Sequence, residues 1–385
     1  MLTKNINFKG FKSKKNNKNI KNDLQLLLKE NNKILNSLGP LYKNSYKKKI
    51  ILSLKKYSYV RIIGMGGSIL GAESIYDFLK HKVKKKFYFV NNLKTNNNSF
   101  KEKKKYINLV ISKSGETLET ITNANIFVKK TDKNIFITEN KKSYLLKLAL
   151  KLKAEIVHHN NFIGGRYSVL SEVGMLPAEL MGLSADKFKQ INSLVQKKSF
   201  INQLTNNVSN TLYFIKQKKF NSIILNYDER SESLFKWYQQ LIAESLGKKN
   251  NGIVPIISSM PKDNHSLMQL YLDGPKKNFF TFFSVKERRS TNIINNQILS
   301  THTYLKNKNI SQIMNSQKIA TENVFKKKGI PFRSFEILER DEQTLGELFC
   351  FFILETILIG RALNINPFNQ PAVELVKEET KKILI

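Results

Sequence analysis

Cysteine, tryptophan and long apolar runs are scarce in this chain. Its 385 residues include one cysteine, Cys350, and one tryptophan. A single cysteine excludes an internal disulfide and any metal site built from several cysteines. No apolar run reaches the roughly 20 residues that a membrane-spanning helix requires. The nearest candidate, CFFILETILIG (residues 350–360), is too short and contains Glu355, so we predict a buried helix there.

Acidic residues are also scarce, with 30 aspartates and glutamates against 65 lysines and arginines, for a net charge of +35. Such a balance raises the hypothesis of a nucleic-acid partner. The lysines, however, are spread along the whole chain and accompany many Asn, Ile and Phe residues, whose codons are rich in A and T. We attribute the excess to nucleotide composition and expect no nucleic-acid partner. The positive field still favours the approach of anionic substrates.

The N-terminal stretch, MLTKNINFKGFKSKKNNKN, is positively charged but has no apolar core. It therefore does not resemble a secretory signal, and we expect a cytoplasmic protein without a membrane anchor. The hydrophobic fraction of 41% is that of a folded globular protein. The length is sufficient for two domains, each with its own core.

Strand and helix patterns alternate twice along the chain. The first series of apolar strands is YVRIIG (59–64), FYFV (87–90), INLVIS (107–112) and NIFIT (134–138). The second is SIILN (222–226), NFFTFFSV (278–285) and FRSFEIL (332–338). The helical patterns are SILGAESIYDFL, VLSEVGMLPAELMGL, residues 185–217, LFKWYQQLIAESL and TLGELFCFFILETILIGRAL. Such alternation predicts parallel sheets covered by helices on both faces.

We therefore predict an α/β fold with two doubly wound parallel-sheet domains and helical segments at both ends. The predicted segments are 1–57, in which residues 1–22 form a loose arm; 58–184, the first α/β domain; 185–350, linker helices and the second α/β domain; and 351–385, a helical segment.

A glycine-rich turn follows the first predicted strand. In IIGMGGSILG (62–71), Gly64, Gly66 and Gly67 permit a tight turn and a close approach of the backbone to a ligand. The G-x-G-G-S pattern differs from the dinucleotide motif G-x-G-x-x-G. The following FYFVNNL has no acidic residue to hold a ribose, so nicotinamide binding is not favoured. A turn required only for packing stays an alternative.

A second turn, ISKSGETLET (111–120), places hydroxyl groups between a strand and a helix. Ser112, Ser114 and Thr117 can donate hydrogen bonds, and the helix start supplies free backbone N–H groups for an anion. Turns after neighbouring parallel strands face one crevice at the carboxyl edge of the sheet. An ordinary helix N-cap is the alternative. Because no aromatic residue flanks the turn to stack on a nucleobase, a small phosphorylated metabolite is the better hypothesis.

Six blocks occur in the order found in one enzyme family. They are GMGGSILG, SKSGET, GGRYSVLSEVG (164–174), QQLIAESLGK (239–248), DNHSLMQL (263–270) and NPFNQPAVELVK (366–377). From about residue 58 to residue 385 the chain resembles the glucose-6-phosphate isomerase family, in its short bacterial form with two sugar-isomerase (SIS) domains. The resemblance implies interconversion of D-glucose 6-phosphate and D-fructose 6-phosphate by ring opening and enediol proton transfer, in glycolysis and gluconeogenesis. It implies no metal or redox cofactor, and a homodimer.

The resemblance also implies the roles of individual residues. Glu244 matches the base that moves the proton, and Arg166 the cation that stabilises the enediolate. His265 matches a ring-opening histidine that reaches the partner subunit's site, and Lys377 a lysine that assists ring opening. The implied substrate contacts are Gly67 and Ser68 at the sugar, Ser112, Lys113, Ser114 and Thr117 at the phosphate, and Gln240 and Gln370.

Plainer interpretations of these residues stay open. Glu244 could be a surface carboxylate paired with Lys248 four residues later, and Arg166 could pair with Glu172. His158 and His159 are adjacent on a predicted strand and point to opposite faces, which makes them a poor metal pair. We interpret both as surface residues.

Departures from the family pattern leave the identity of the substrate open. Val376 stands where many members have glycine, Leu246 where long forms have asparagine, and DNH replaces G-Q-H. A dual phosphoglucose and phosphomannose isomerase is thus one alternative, although GGRYS favours the glucose enzyme. A non-enzymatic SIS sensor with a DNA-binding head is another, but about 55 residues before the first strand leave little room for that head.

A SIS transferase is a third alternative. It would require an N-terminal cysteine nucleophile or an amidase domain, whereas Cys350 lies deep in a predicted helix.

Overall fold

The computed structural model describes residues 1–12, 18–94, 105–286 and 300–385. Residues 13–17 of the predicted N-terminal arm lie outside this description. The described chain forms two five-stranded sheets surrounded by helices. The strands are β1 (Ile6–Lys9), β2 (Tyr59–Gly64), β3 (Lys86–Val90), β4 (Ile107–Ile111), β5 (Lys133–Thr138), β6 (Glu155–His158), β7 (Asn221–Asn226), β8 (Val254–Ser259), β9 (Asn278–Val285) and β10 (Phe332–Ile337). The helices are α1 (Lys18–Lys29), α2 (Lys33–Ser37), α3 (Lys48–Ser53), α4 (Leu70–Leu79), α5 (Leu118–Phe127), α6 (Tyr144–Lys151), α7 (Glu172–Leu180), α8 (Ile191–Val195), α9 (Lys198–Lys216), α10 (Glu232–Leu246), α11 (Met268–Asp273), α12 (Ile310–Lys327), α13 (Glu342–Ala362) and α14 (Ala372–Leu384).

The first sheet is entirely parallel, in the order β3-β2-β4-β5-β6. Strand β3 lies on one side of β2 and β4 on the other, so the winding direction reverses between β2 and β4. In doubly wound sheets this reversal opens a ligand crevice at the carboxyl edge. Gly64 at the end of β2 pairs in register with Ile111 at the end of β4. The two motif turns therefore leave the sheet side by side.

The second sheet has the order β1-β10-β9-β7-β8, in which β7 to β10 are parallel and β1 is antiparallel to β10. The predicted α/β class with two parallel sheets is confirmed. The prediction of a loose arm is wrong where β1 forms, because Phe8 is buried with its ring centroid 4.6 Å from that of Phe335. A four-residue strand flanked by lysines has too short a pattern to be recognised, and its partner lies more than 300 residues away.

Every strand that the apolar runs predict is present, with ends within one residue of the prediction. Strand β8 is an addition that the sequence reading missed. It contains Pro255, which argues against a central strand, but β8 lies at the sheet edge, where a missing N–H is tolerated.

Helix α13 is buried along most of its length, as the CFFILETILIG stretch predicts. Its Glu355 carboxylate pairs with the buried Arg333 guanidinium and also accepts a hydrogen bond from Asn207 Nδ2 at 2.5 Å. A buried carboxylate is tolerated only with such partners. Over the described ranges, no helix combines the length and apolarity needed to cross a membrane. The helix continues through residue 350, and the division of the chain at residues 57, 184 and 350 stays a prediction.

Helix α10, which follows β7 of the second sheet, packs on α4, which follows β2 of the first. Ser74 Oγ of α4 donates to the Ser233 carbonyl of α10 at 2.8 Å. This packing brings the last turns of α10 against the glycine-rich turn of the first sheet, since Gln240 contacts Gly66.

Candidate active site

The Arg166 guanidinium lies at the centre of a junction between three parts of the chain. Arg166 is 2% exposed in the short 3-10 turn Gly165–Leu170. Its Nη1 lies 3.1 Å from Glu244 Oε2 and donates to Gln370 Oε1 at 2.7 Å. Its Nη2 donates to the carbonyl of Pro367 at 2.6 Å, and its Nε to Ser245 Oγ at 2.8 Å. The planar fork thereby aligns α10 and the loop before α14 around one positive charge.

Both carboxylate oxygens of Glu244 are oriented, yet the side chain is still 29% exposed. Oε2 faces Arg166, and Oε1 accepts from Gln240 Nε2 at 2.9 Å. The carboxylate is therefore held in place and can still be reached by a ligand. Trp237 fixes α10 to the Arg166 turn, because its Nε1 donates to the Arg166 carbonyl at 3.1 Å.

The structure supports neither of the plainer interpretations of Glu244 and Arg166. Lys248 Nζ donates to the carbonyls of Ser245 and Asn366, each at 2.8 Å, and not to Glu244. Glu172 is bonded to His159, so it is not the partner of Arg166.

The glycine-rich turn touches the Arg166 turn backbone to backbone. A Cβ added at Gly67 would lie 2.1 Å from the Gly165 carbonyl carbon. A Cβ at Gly66, which has a φ of +53°, would lie 2.7 Å from Gln240 Nε2. Ser68, half-buried, is in the same turn. These glycines are thus required by close approach as well as by the turn.

The second motif turn gathers hydroxyl groups at the start of α5. Ser112 Oγ lies 2.9 Å from Thr117 Oγ1 and accepts from the Gly115 N–H at 3.2 Å. Ser114 is exposed and accepts from the Glu116 N–H. Thr117 occupies the N-cap position, but its side chain does not cap α5. Hydroxyls and the positive end of the helix therefore converge at a place suited to an anion.

Lys113 of the same turn reaches toward the loop after β6. Its Nζ donates to the Asn161 carbonyl at 2.7 Å and lies 3.4 Å from Glu139 Oε1. The SKSGET turn is thus tied to the segment that leads to Arg166.

The structure does not bring His265 or Lys377 to this junction. His265 is exposed in a short turn after the edge strand β8. Lys377 is 59% exposed on α14, and its Nζ is 2.7 Å from Glu374 Oε1. Among the contacts of the described residues, none joins either side chain to Arg166 or Glu244.

The interpretation of His159 as a surface residue is wrong. His158 is exposed at the end of β6, but His159 is 4% exposed and its Nδ1 lies 2.5 Å from Glu172 Oε1. Alternation along the strand correctly separates the two rings. It could not show that α7 covers one of them with a carboxylate.

Two residues that the sequence reading passed over, Tyr167 and Ser245, belong to the junction, as does Lys248, which the sequence offered only as a partner of Glu244. The Tyr167 hydroxyl lies 2.8 Å from Ser245 Oγ and donates to the Pro367 carbonyl at 3.0 Å. Burial, and next the Arg166 charge, lower the pKa of Lys248 to about 8, against the opposing effect of Glu244. The sequence feature that could have identified them is their position inside the GGRYS and AESLGK motifs.

No set of three or more His, Cys, Asp or Glu side chains in the described part of the chain is arranged to hold a metal ion. The functional groups that do converge are a carboxylate, a guanidinium, amides and hydroxyls. Such a set can bind an anion and move a proton.

Comparison with known proteins gives a consistent answer. A sequence profile of the family described as phosphoglucose isomerase matches residues 13–385. The glucose-6-phosphate isomerase of Methanocaldococcus jannaschii is 33% identical over 353 residues, which cover 86% of this chain and 84% of that protein. The glucose-6-phosphate isomerase of Mycoplasmopsis pulmonis is also 33% identical, over 84% of this chain and 82% of its own length.

Two solved structures share the fold. A hypothetical protein from Thermus thermophilus matches with a TM-score of 0.82 at 21% identity, over 96% of this chain and 94% of its own. A glucose-6-phosphate isomerase from Chlamydia trachomatis matches with a TM-score of 0.71 at 19% identity, over 87% of this chain and 71% of its own.

Proposed function

The chain belongs to the phosphoglucose isomerase family, and we propose that it is an isomerase that interconverts D-glucose 6-phosphate and D-fructose 6-phosphate. The observation that carries the proposal is the Glu244 carboxylate, oriented by Arg166 and Gln240 and still accessible. The relatives named glucose-6-phosphate isomerase support the same reaction. They give no support to the sensor, the dual-substrate enzyme or the transferase.

In this proposal Glu244 is the base of the isomerisation. It removes the proton from C2 of the open-chain aldose, which leaves an enediolate with its charge on O1. It then returns that proton to C1, while the O2 hydroxyl proton passes to O1 and C2 becomes the ketose carbonyl; the reverse reaction runs the other way. A carboxylate needs a defined direction toward the carbon for this transfer. The two hydrogen-bond partners of Glu244 supply that direction.

Arg166 stabilises the negative oxygen of the enediolate. Its guanidinium is buried and permanently charged, so it does not have to be reorganised as charge develops. Gln370, bonded to the same Nη1, and Gln240 contact the sugar hydroxyls in this scheme. Gly67 and Ser68 line the sugar, since the Gly67 turn lies against Gly165.

The phosphate binds the SKSGET turn in this scheme, through Ser112, Ser114, Thr117 and the charge of Lys113. The hydroxyl cluster at the start of α5 supports this placement. Binding energy from the phosphate then fixes the reacting carbons near Glu244.

Ring opening needs proton carriers, and we assign it to His265 and Lys377. His265 lies exposed beside an edge strand, which suits a side chain contributed to the site of a second copy, in a homodimer. Lys377 lies on α14, whose Val373, Val376 and Ile383 are exposed. That apolar surface supports docking of α14 against protein, with Lys377 directed to the substrate. Glycolysis and gluconeogenesis in the cytoplasm are the proposed setting.

The test is a coupled assay. Purified protein receives fructose 6-phosphate, and glucose 6-phosphate is detected with an NADP-linked glucose-6-phosphate dehydrogenase, with EDTA present. We expect turnover that EDTA does not reduce and little turnover of mannose 6-phosphate in a parallel assay. Absence of turnover in a protein that still binds a sugar phosphate would overturn the proposal in favour of a sensor.

A further inference from the structure

A buried histidine–glutamate pair lies behind the segment that leads to Arg166. His159 Nδ1 is 2.5 Å from Glu172 Oε1, and His159 Nε2 is 3.0 Å from the Ile163 carbonyl oxygen. A carboxylate and a carbonyl can only accept hydrogen bonds, so a ring with a proton on each nitrogen satisfies both partners, with Glu172 as its counter-ion.

The surroundings of Glu172 keep its carboxylate ionised. Burial alone would raise the pKa of Glu172, but the hydrogen bond and charge of His159 and the backbone N–H of Asn160 outweigh it and lower that pKa. The Tyr42 hydroxyl donates to Oε2 at 2.8 Å, and burial raises the pKa of Tyr42, so it stays a neutral donor. Lys189, whose Nζ lies 4.9 Å from the Tyr42 ring centroid, adds positive charge nearby.

Residues 159–165, here called the bridging segment, contact both parts of the proposed substrate site. The Asn161 carbonyl accepts from Lys113 Nζ of the SKSGET turn. At its other end, Gly165 lies against Gly67 and precedes Arg166. The segment therefore links Asn161, which holds Lys113 of the SKSGET turn, directly along the chain to Arg166.

The His159–Glu172 pair anchors the bridging segment. Glu172 binds the His159 ring and the Asn160 N–H, and the His159 ring binds the Ile163 carbonyl. Glu172 is the first residue of α7, so the segment is fixed to a rigid element.

We propose that His159 and Glu172 are positioning residues, which set the spacing between the phosphate contacts of the SKSGET turn and the enediolate contact of Arg166. The inference rests on the proposed isomerase function. The pair touches no substrate and acts only through the bridging segment.

The test compares His159→Asn and Glu172→Gln with a matched control, His158→Asn, which changes the exposed neighbouring histidine. In Glu172→Gln the amide cannot balance an imidazolium, and an NH2 group turned toward a neutral ring no longer offers the Asn160 N–H an acceptor. We expect both pair variants to lose about tenfold or more in kcat/KM for fructose 6-phosphate, because a displacement of about 1 Å can cost up to ~100-fold. Both kcat and KM should change, and inhibition by inorganic phosphate should weaken. His158→Asn should stay within twofold of the wild type. Pair variants that fold and match the control in kcat, KM and phosphate inhibition would overturn the proposal.

A measurement on the wild type does not depend on whether the variants fold. The chain has five histidines, so 15N-histidine labelling and ring-nitrogen spectra near neutral pH can resolve them. We expect one ring, absent in His159→Asn, with both nitrogens protonated. A neutral His159 ring would overturn the proposal. Failure of the isomerase function is separately visible, since the wild type itself would then show no turnover while the ring spectrum is unaffected.

Discussion

Arg166 and Glu244 are 78 residues apart in the chain, and their Nη1 and Oε2 atoms lie 3.1 Å apart. Arg166 belongs to the loops of the first sheet, and Glu244 to the helix that follows β7 of the second. The contact therefore joins the two halves of the molecule at the proposed site. It orients the base and places a cation where negative charge would develop, so both partners can be tested separately.

Replacing Glu244 with glutamine should remove the proton transfer and spare binding. We expect kcat to fall by about 10²–10⁴-fold, the usual contribution of general acid–base catalysis. The amide is isosteric and can still accept from Arg166, so KM and inhibition by inorganic phosphate should change little. Steady-state kinetics with fructose 6-phosphate provide the measurement, and Glu232→Gln, at the partly exposed start of α10, is the control. Normal turnover in Glu244→Gln would remove this residue from the mechanism.

Replacing Arg166 with lysine keeps the charge but not the fork. One ammonium group cannot reach Ser245, Gln370 and the Pro367 carbonyl together. We expect kcat to fall by about 10²–10³-fold. The free energy of unfolding in urea should fall by about 2 kcal/mol or more, because buried acceptors lose their donors.

The matched control for this change is Arg230→Lys at an exposed position. Wild-type kcat in Arg166→Lys would show that charge alone suffices at this place.

Adding a methyl group on either side of the contact between the two glycine turns should have unequal effects. In Gly67→Ala the Cβ would lie 2.1 Å from a backbone carbon, whereas in Gly165→Ala its nearest neighbour would lie 3.7 Å away. We expect Gly67→Ala to lose most activity and to melt at a lower temperature, because the two turns have to separate. Gly165→Ala should retain activity. Equal activity and melting temperature in the two variants would contradict the close approach.

Glu73 should make the fold less stable as the pH rises. Burial, and next the charge of Asp77, raise the pKa of this carboxyl from 4.5 to about 7. A raised folded pKa means that the folded state binds the proton more tightly, so the stabilisation is complete below about pH 4.5 and is lost as the pH rises through 7. Glu73→Gln stays neutral and can still accept from Asn91.

We therefore expect Glu73→Gln to match the wild type in urea unfolding at about pH 4, below the unfolded pKa. At pH 8 it should exceed the wild type by on the order of 2–3 kcal/mol. Glu229→Gln, at an exposed position, should show no such pH-dependent gain. A constant difference between Glu73→Gln and the wild type across this range would contradict the assignment.

Local pattern was sufficient for much of the fold. Apolar runs such as YVRIIG and NFFTFFSV predict their strands within one residue, because a buried parallel strand is apolar on both faces. Strand β1 and strand β8 escaped this reading. The identity of β1 depends on pairing with β10, and the proline in β8 is tolerated only because the strand lies at an edge.

Within the candidate site, the sequence alone determined which side chains are present and in which motifs: Glu244, Arg166, Gln370 and the two glycine and serine turns. Only the tertiary structure decided their distances, since α10 has to pack on α4 before Glu244 can meet Arg166. It also decided that His159 is buried beside Glu172 and that Lys377 is exposed on α14. The physical reason is that hydrophobic periodicity depends on near neighbours in the chain. Ion pairs and close backbone contacts depend on residues far apart, which only the folded packing brings together.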